Sequence, residues 1–360
     1  MANRKISDLT ALTTPASGDF LPIVDISEAA DADKNKRITI EELMRGAPDG
    51  TAAAPGIAFE SDPDTGFYRV GANAVGISAG GTQQLLADSS GVQTPDDVTI
   101  NGITVGRGGG AVSTNTTVGS AALESNTTAA GNTATGFAAL YAATTGGSNT
   151  GCGWAALYNV TTGSSNTGVG VFAGRYTVAG TDNANYTNCS YLGYDTRASG
   201  DNQVQLGDSN TTTYVFGTVQ NRSDARDKAD VRDTVLGLDF INSLRPVDFR
   251  WDYRDAYFDS EEYEGEDGTT QTRLVPVPKD GSRKRNRFHH GLIAQEVKAA
   301  MDAAGVDFGG YQDHGHNGGN DVLSLGYVEL IGPMIKALQE AAARIETLEA
   351  TVAALGGNGS

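Results

Sequence analysis

A short repeat constrains this chain more than anything else in it. Four segments, NTTVGSAALESNTTAAG from Asn115, NTATGFAALYAATTGGS from Asn132, NTGCGWAALYNVTTGSS from Asn149 and NTGVGVFAGRYTVAGTD from Asn166, align at a constant period of 17 residues. A fixed period of this kind means one structural unit stacked on itself. Each unit begins Asn-Thr, places glycine fifth (Gly119, Gly136, Gly153, Gly170) and keeps small or apolar residues seventh and eighth. Small residues at fixed places suit a tightly wound coil of strands, since a bulky side chain at a sharp corner would clash in every layer. The expected fold is mainly β, a parallel β-roll or β-helix. An Ala-rich coil buries too little alone, and association into a homotrimer is the economical way to cover it.

That layout is similar to the head repeats of trimeric adhesins and to phage fibre shafts. Cys152, at the variable fourth position, reads as a packed interior thiol. Tyr141, Trp154 and Tyr158 read as packing between layers, with a binding ladder as the alternative. From Thr181 the repeat decays, and alternation in Gln203 to Leu206 and Tyr214 to Val219 suggests strands that close the shaft.

Composition agrees with a thin, repetitive architecture. Only 39% of the 360 residues are hydrophobic and 47 are glycine, which argues against one large core. A formal charge of −18 argues against a partner held by nucleic-acid phosphates. Cys152 and Cys189 show no paired spacing, so no disulfide framework is expected and synthesis in a host cytosol is inferred. Neither a signal-peptide core nor a run of eighteen apolar residues is present, so membrane insertion is not expected.

Ahead of the repeat, residues 1–46 carry short apolar runs and a helix candidate at Glu41 to Met44, the expected virion-attachment tab. Within it, Asp31, Asp33, Asn35 and Glu42 fall at positions one, three, five and twelve of a calcium loop. Lys36 stands where such a loop needs glycine, so a polar turn before a strand is the expected structure. Residues 47–110 read as short strands separated by turns, with Phe59, Phe67, Tyr68, Val75 and Ile77 supplying an apolar face. This stretch resembles the shaft and collar segments of phage tail fibres. Residues 111–222 then form the repetitive shaft.

At SDARDK, Ser223 to Lys228, the composition changes to charged, helix-forming sequence. Val231, Val235, Leu238, Phe240, Ile241 and Leu244 have helical spacing that stops before Pro246. Val247, Phe249 and Trp251 alternate with polar residues as a half-buried strand, and FHHGLIAQEVKAAMDAAG supplies a second strand and helix. Between them, an acidic run and the basic SRKRNR offset each other or stay solvated. Ile331, Met334, Leu338, Ala341, Ile345, Leu348, Val352 and Leu355 then mark the a and d seam of a coiled coil over residues 330–356, with a helix packed on its own domain as the alternative.

SDARDK, LRPVDFRWD, HHGLIAQEV and YVELIGPMIKALQEAAARIETLE, taken in order, resemble the C-terminal intramolecular chaperone autoproteases of phage tailspikes and tail fibres, including endosialidases. The resemblance covers Ser223 to about Leu355 and implies a small α+β chaperone domain, residues 223–360, ending in a trimeric coiled coil. It also implies a Ser-Lys peptidase that cuts its own chain after trimer assembly, with Ser223 as nucleophile, Lys228 as general base and Arg222-Ser223 as the scissile bond. A lysine base must lose its proton, through desolvation or nearby cations; Arg226 would help, and Asp224 and Asp227 would oppose. Residues five apart point about 140° apart on a helix and to opposite sides on a strand. A turn or a neighbouring chain must therefore bring Ser223 and Lys228 together. Alone, the hexapeptide reads equally as a helix cap.

His290 is expected to orient the cleavage site or to pack within the domain. His314-Gly315-His316 has the form of a metal pair but sits in a polar loop, so no metal and no cofactor are expected. The function these features imply is a phage tail-fibre protein that attaches to the virion tail or an adaptor through its N-terminus. It would bind a host surface receptor, a glycan, and shed its folding domain. A trimeric bacterial adhesin and a glycan-degrading tailspike are the alternatives; the repeats show no catalytic carboxylate pair for the latter.

Overall fold

A computed structural model describes residues 20–24, 35–39, 47–183, 185–264, 270–317 and 321–357. The helix expected at Glu41 to Met44, and Asp31, Asp33 and Glu42 of the calcium-loop pattern, lie outside them. The chain divides into two compact units, Met1–Asp96 and Asp97–Ser360.

In the first unit, β1 (Phe20–Val24) pairs antiparallel with β2 (Asn35–Thr39), so Asn35 and Lys36 of the calcium-loop pattern lie on a strand. A minimal hairpin, β3 (Gly50–Thr51) and β4 (Ala54–Pro55), precedes a five-stranded antiparallel meander. Its strands are β5 (Ile57–Phe59), β6 (Asp62–Gly71), β7 (Ala74–Ala79), β8 (Thr82–Asp88) and β9 (Gly91–Gln93). Alternation turns Tyr68 inward, where its hydroxyl donates to Gln83 Oε1 at 2.6 Å and its ring lies over Gly76. A Cβ on Gly76 would stand 2.5 Å from that ring. Ile57, Phe67, Ile77 and Leu85 line up across the other face, and Phe67 is 51% exposed. Of the apolar face expected from the sequence, Phe59, Phe67 and Val75 are uncovered in a single chain, whereas Tyr68 belongs to the opposite, buried side because successive strand residues alternate.

The second unit opens with a hairpin, β10 (Val98–Ile100) and β11 (Ile103–Gly106), which extends the edge of the repeat rather than the meander. The repeat is a β-solenoid with one three-residue strand per coil: β12 (Thr116–Val118), β13 (Thr133–Thr135), β14 (Thr150–Cys152), β15 (Thr167–Val169), β16 (Ser190–Leu192) and β17 (Val204–Leu206). All pair in parallel.

The Asn-Thr start of each unit has a structural cause. Asn132, Asn149 and Asn166 are fully buried, and each side-chain oxygen receives the backbone N–H of the residue one coil onward, at 2.8 Å, 2.9 Å and 3.0 Å. Asn115 does the same for Asn132 at 2.9 Å. Each amide nitrogen donates to backbone carbonyls close to the asparagine column, as Asn149 does to Gly163 at 2.9 Å. Buried backbone groups must be paired, and this ladder pairs them where the chain turns away from the sheet.

The fifth-position glycines form a second column. Gly119, Gly136, Gly153 and Gly170 have φ of 119° to 155°, and a Cβ on any of them would lie 2.3–2.6 Å from the carbonyl oxygen of the glycine above. The seventh-position residues Ala121, Ala138 and Ala155 are left-handed, as are Leu123, Leu140 and Leu157 at the ninth. Those leucines are completely buried and, with Ala122, Ala139, Ala143 and Val160, make a narrow core. Burying such a side chain is worth about 1.5–3 kcal/mol, enough to offset the ~1–2 kcal/mol of a left-handed residue. In the fourth unit Gly174 takes the leucine position and leaves room for the buried ring of Tyr191.

Cys152 is exposed, contrary to the expected interior thiol. The middle residue of each strand points inward, so the fourth position, with Val118, Cys152, Val169, Leu192 and Leu206, points out. The interior thiol is Cys189, which takes the asparagine position in the fifth coil. Layer packing of the aromatics is observed. Tyr141 stacks on Tyr158 at 4.9 Å, with Arg175 over Tyr158 at 4.7 Å, and Trp154 meets Phe172 at 4.9 Å. Trp154 nevertheless remains 52% exposed.

Gln203 to Leu206 closes the shaft partly as expected, with β17 at Val204–Leu206, whereas Tyr214 to Val219 forms no strand. The parallel ladder ends with β17 at Leu206. The expected helix from Val231 is also shorter, α1 (Leu238–Ser243), because Gly237 takes a non-helical conformation; Val231 and Val235 are exposed. Beyond it, β18 (Val247–Arg250) leads to the hairpin β19 (Phe258–Glu264) and β20 (Thr270–Pro276). The chain returns in β21 (Phe288–Gly291), antiparallel to β18, followed by α2 (Ala294–Ala304), the hairpin β22 (Tyr311–Asp313) and β23 (Leu323–Leu325), and α3 (Ile331–Gly357). Leu236, Phe240, Val297, Met301, Phe308 and Leu330 form this region's core. No described helix is long and apolar enough to cross a membrane.

The ladder makes a direct prediction. Asn149→Ala leaves the Asn166 N–H without its buried acceptor, a loss of about 2–3 kcal/mol, while Thr150→Ala on the exposed side of the same strand changes little. Thermal unfolding followed by circular dichroism is expected to show a midpoint lower by about 5–10 °C for the first variant only.

Candidate active site

The candidate site lies in a stretch that a single chain leaves bare: every residue from Asn210 to Val235 is exposed. Within it one short 3-10 turn, Ala225–Asp227, gives SDARDK its shape. Asp224 is extended and its side chain accepts the Arg226 N–H at 2.9 Å, capping the turn. The Asp227 N–H donates to Asp224 O at 3.1 Å and the Lys228 N–H to Ala225 O at 3.2 Å, after which the backbone is extended again at Lys228.

This turn brings the two expected residues together. Lys228 Nζ donates to Ser223 Oγ at 2.7 Å. Of the two routes left open by a five-residue separation, the turn within one chain is the one realised. Asp224 caps only this three-residue turn, not the amphipathic helix of the alternative reading, and the ends of SDARDK are in contact.

The neighbouring charges are arranged against one another. The Arg226 guanidinium grips Asp224, at 2.6 Å for its closest contact, which holds that carboxyl below the usual carboxylate range. Arg226 is thereby offset as a source of positive potential toward Lys228. Arg222, on the other side of the candidate bond, lies 3.7 Å from Asp227. Chemically, a hydroxyl held by an amine is a nucleophile beside its potential base, provided the amine can be made neutral. A single chain covers neither residue.

His290 pairs with Asp248 across β18 and β21, Nδ1 to Oδ1 at 2.6 Å, and is mostly exposed. Among the described residues it makes no hydrogen bond to Ser223 or Lys228. His289 instead joins an aromatic cluster, 6.0 Å from the Phe249 ring and 6.2 Å from Trp251. His314 turns toward the shaft and bonds Ser199; the His316 side chain lies outside the described residues. Among the described residues, no group of three metal-ligating side chains comes together.

Comparison with known families places a boundary at the same serine. Residues 223–306 match the family described as chaperone of endosialidase. No curated protein and no solved structure matches the chain. Residues 223–306 thus carry an endosialidase-type chaperone domain, whose presence supports a tail-fibre or tailspike type of protein with a C-terminal chaperone. The matched residues run from Ser223 through α2, and α3 lies beyond them.

Inside the chaperone region, two contacts had no signal in local sequence. Glu340, on α3, accepts the Leu238 N–H at 2.7 Å and so caps α1 from 102 residues away. Tyr327 accepts the Leu292 N–H at 3.0 Å, and a Cβ on Gly291 would stand 2.5 Å from its hydroxyl. In the insert each charge run pairs with a residue outside the other run, Glu261 with Arg273 at 2.8 Å and Arg283 with Asp259 at 2.6 Å.

The remote cap is testable. Glu340→Ala frees the first N–H of α1 and is expected to lower the stability of the chaperone region by about 1 kcal/mol, the usual value of a lost cap. A lowered denaturation midpoint with an unchanged slope is the result that urea titration should give.

Proposed function

We propose that this chain is a homotrimeric phage tail-fibre protein whose chaperone domain templates assembly and then releases itself by cutting between Arg222 and Ser223. The 2.7 Å contact of Lys228 Nζ with Ser223 Oγ, at the first residue of the family match, carries the reading. In the proposed chemistry neutral Lys228 takes the hydroxyl proton as Ser223 Oγ attacks the Arg222 carbonyl carbon. The C–N bond breaks, the proton passes to the departing Ser223 amine, and an ester joins Arg222 to Oγ. Water then hydrolyses that ester, leaving an Arg222 carboxylate and a free Ser223. The reaction is single-turnover and needs no cofactor.

Trimer formation is supported by surfaces that one chain leaves open. Leu330 and Ala337 of the C-terminal segment are buried, whereas Ile331, Met334, Leu338, Ile345, Leu348, Val352 and Leu355 are exposed, Leu338 to 71%. Seven apolar residues on heptad spacing ask for identical helices. Covering the linker in a trimer would also dehydrate Lys228 and favour its neutral form, which makes cutting follow assembly. The remaining assignments follow from this one: residues 1–46 join the virion tail or an adaptor, and the shaft engages a host glycan. The finished fibre resides in the virion after synthesis in the host cytoplasm.

Intact-mass measurement with N-terminal sequencing tests the cut. The wild-type chain is expected to give two fragments, the second starting at Ser223. Ser223→Ala and Lys228→Ala are expected to stay full length, with cleavage slowed at least 100-fold. Asp224→Ala, which loosens the turn, is expected to slow it about fivefold. A wild-type chain still intact after prolonged folding would sink the proposal. For assembly, Leu348→Asp is expected to convert trimer to monomer in sedimentation.

A further inference from the structure

One face of the eight-stranded sheet points into the coils and the other is exposed. On the exposed face a single column of side chains keeps register from strand to strand. Val105 on β11 is paired with Val118 on β12, and the pairing continues through Cys152, Val169 and Leu192 to Leu206 on β17. Thr135, between Val118 and Cys152, carries the column's one hydroxyl. Its valines and leucines are each 38–49% exposed. Seven strands at ordinary sheet spacing make the column about 29 Å long. The hairpin that holds Val105 lies outside the 17-residue repeat, so the apolar character of this face is not a by-product of repetition.

Two further columns flank the first. On one side stand the second-position residues, Thr116, Thr133, Thr150, Thr167 and Ser190. On the other, past a glycine that adds no side chain, stand the sixth-position residues, of which Phe137, Trp154 and Tyr194 are 52–61% exposed. From β12 to β16 none of the three columns carries a charge, in a chain whose formal charge is −18. The tenth position differs: it starts at Glu124 and ends at Arg175, and its Tyr141 and Tyr158 stack on each other within the chain.

Three observations select an identical copy as the occupant of the exposed face. Acidic chains repel one another least across a surface without charge. A glycan presents mostly hydroxyls, and against this column they would meet one threonine hydroxyl in seven residues. Parallel copies around an axis along the column set each coil beside its own equivalents at the same height, so residues can differ from coil to coil, as Val118, Cys152 and Leu192 do. A repeating ligand would ask for the same residue in every coil. The sheet also shares a compact unit with α3, whose seven exposed heptad residues call for identical helices; copies joined along α3 bring their shafts side by side.

We propose that this sheet face is where the shafts of three copies meet, with the fourth-position column lining the common axis and Cys152 facing the Cys152 of its neighbours. The number of copies rests on the trimer proposed above, and the choice of face rests on the sheet. The axis follows the fourth-position column because that column is the middle one of three. The sixth-position aromatics of one copy then pack against the threonine column of the next, a head-to-tail contact that closes on itself after three steps.

The native cysteines supply the test, since Cys152 is exposed in a single chain and Cys189 is buried. A short bis-maleimide is added to the folded wild-type protein, and denaturing gels are read beside sedimentation of the untreated sample. The expected result is a trimer in sedimentation and a band of two joined chains that is absent in Cys152→Ser and keeps its yield on roughly tenfold dilution. The band joins two fragments 1–222 or two whole chains according to whether the backbone has been cut, so the interface is read in either case. In the Cys152→Ser background, Val169→Cys, next in the column, is expected to restore the band. Glu124→Cys in that background, exposed but off the sheet, is expected to give at least about tenfold less. A trimer whose chains are joined through neither column cysteine, or are joined as readily through Glu124→Cys, overturns the proposed face and leaves the trimer standing. A monomer in sedimentation overturns both.

Discussion

The asparagine ladder is the interaction on which the rest of the shaft depends. Each coil has one strand of three residues, too little sheet to set its own register, and the buried amides of Asn115, Asn132, Asn149 and Asn166 tie each coil to the next where the sheet ends. Once that column is fixed, the fifth-position glycines stack so closely that a Cβ on any of them would lie 2.3–2.6 Å from the next carbonyl oxygen, and the leucines point inward. The period follows from this chemistry. Strand starts advance by 17 residues through Thr116, Thr133, Thr150 and Thr167. They then drift as Cys189 takes the asparagine place and Tyr191 fills what Gly174 vacates.

A core this narrow has consequences outside the shaft. The inward residues are alanines and single leucines, while Val118, Cys152, Val169, Leu192 and Leu206 face solvent beside Trp154 and Phe137. The meander shows the same condition on its Phe67 face, and α3 along its heptad seam. Single-chain folding leaves all three uncovered.

What the sequence made legible was whatever repeats or stays local. The 17-residue unit, the heptad seam and the β18–β21 strands were readable because each position makes the same demand again or lies within one element. Cys152 was misplaced because a small residue beside glycine fits either face, and only the inward middle residue of each strand decides it. The helix read from Val231 fails at Gly237, where spacing alone carries no record of backbone conformation. Ser199 with His314 and Leu238 with Glu340, 115 and 102 residues apart, leave no trace in either neighbourhood. At the site, the residue pair was readable and its geometry was not, because a five-residue separation is compatible with a turn or with a second chain.

That geometry changes what assembly must contribute. A second chain is not needed to position Lys228, since Asp224 caps a turn that already puts the amine on the serine hydroxyl. The pair is nevertheless formed in water, with Arg226 held by Asp224 rather than directed at the amine. In the proposed cleavage, positioning and activation are separable: the local sequence supplies the first, and removal of water would supply the second. Under the proposed self-cleavage, assembly would license the cut by covering the stretch from Asn210 to Val235, without moving either residue.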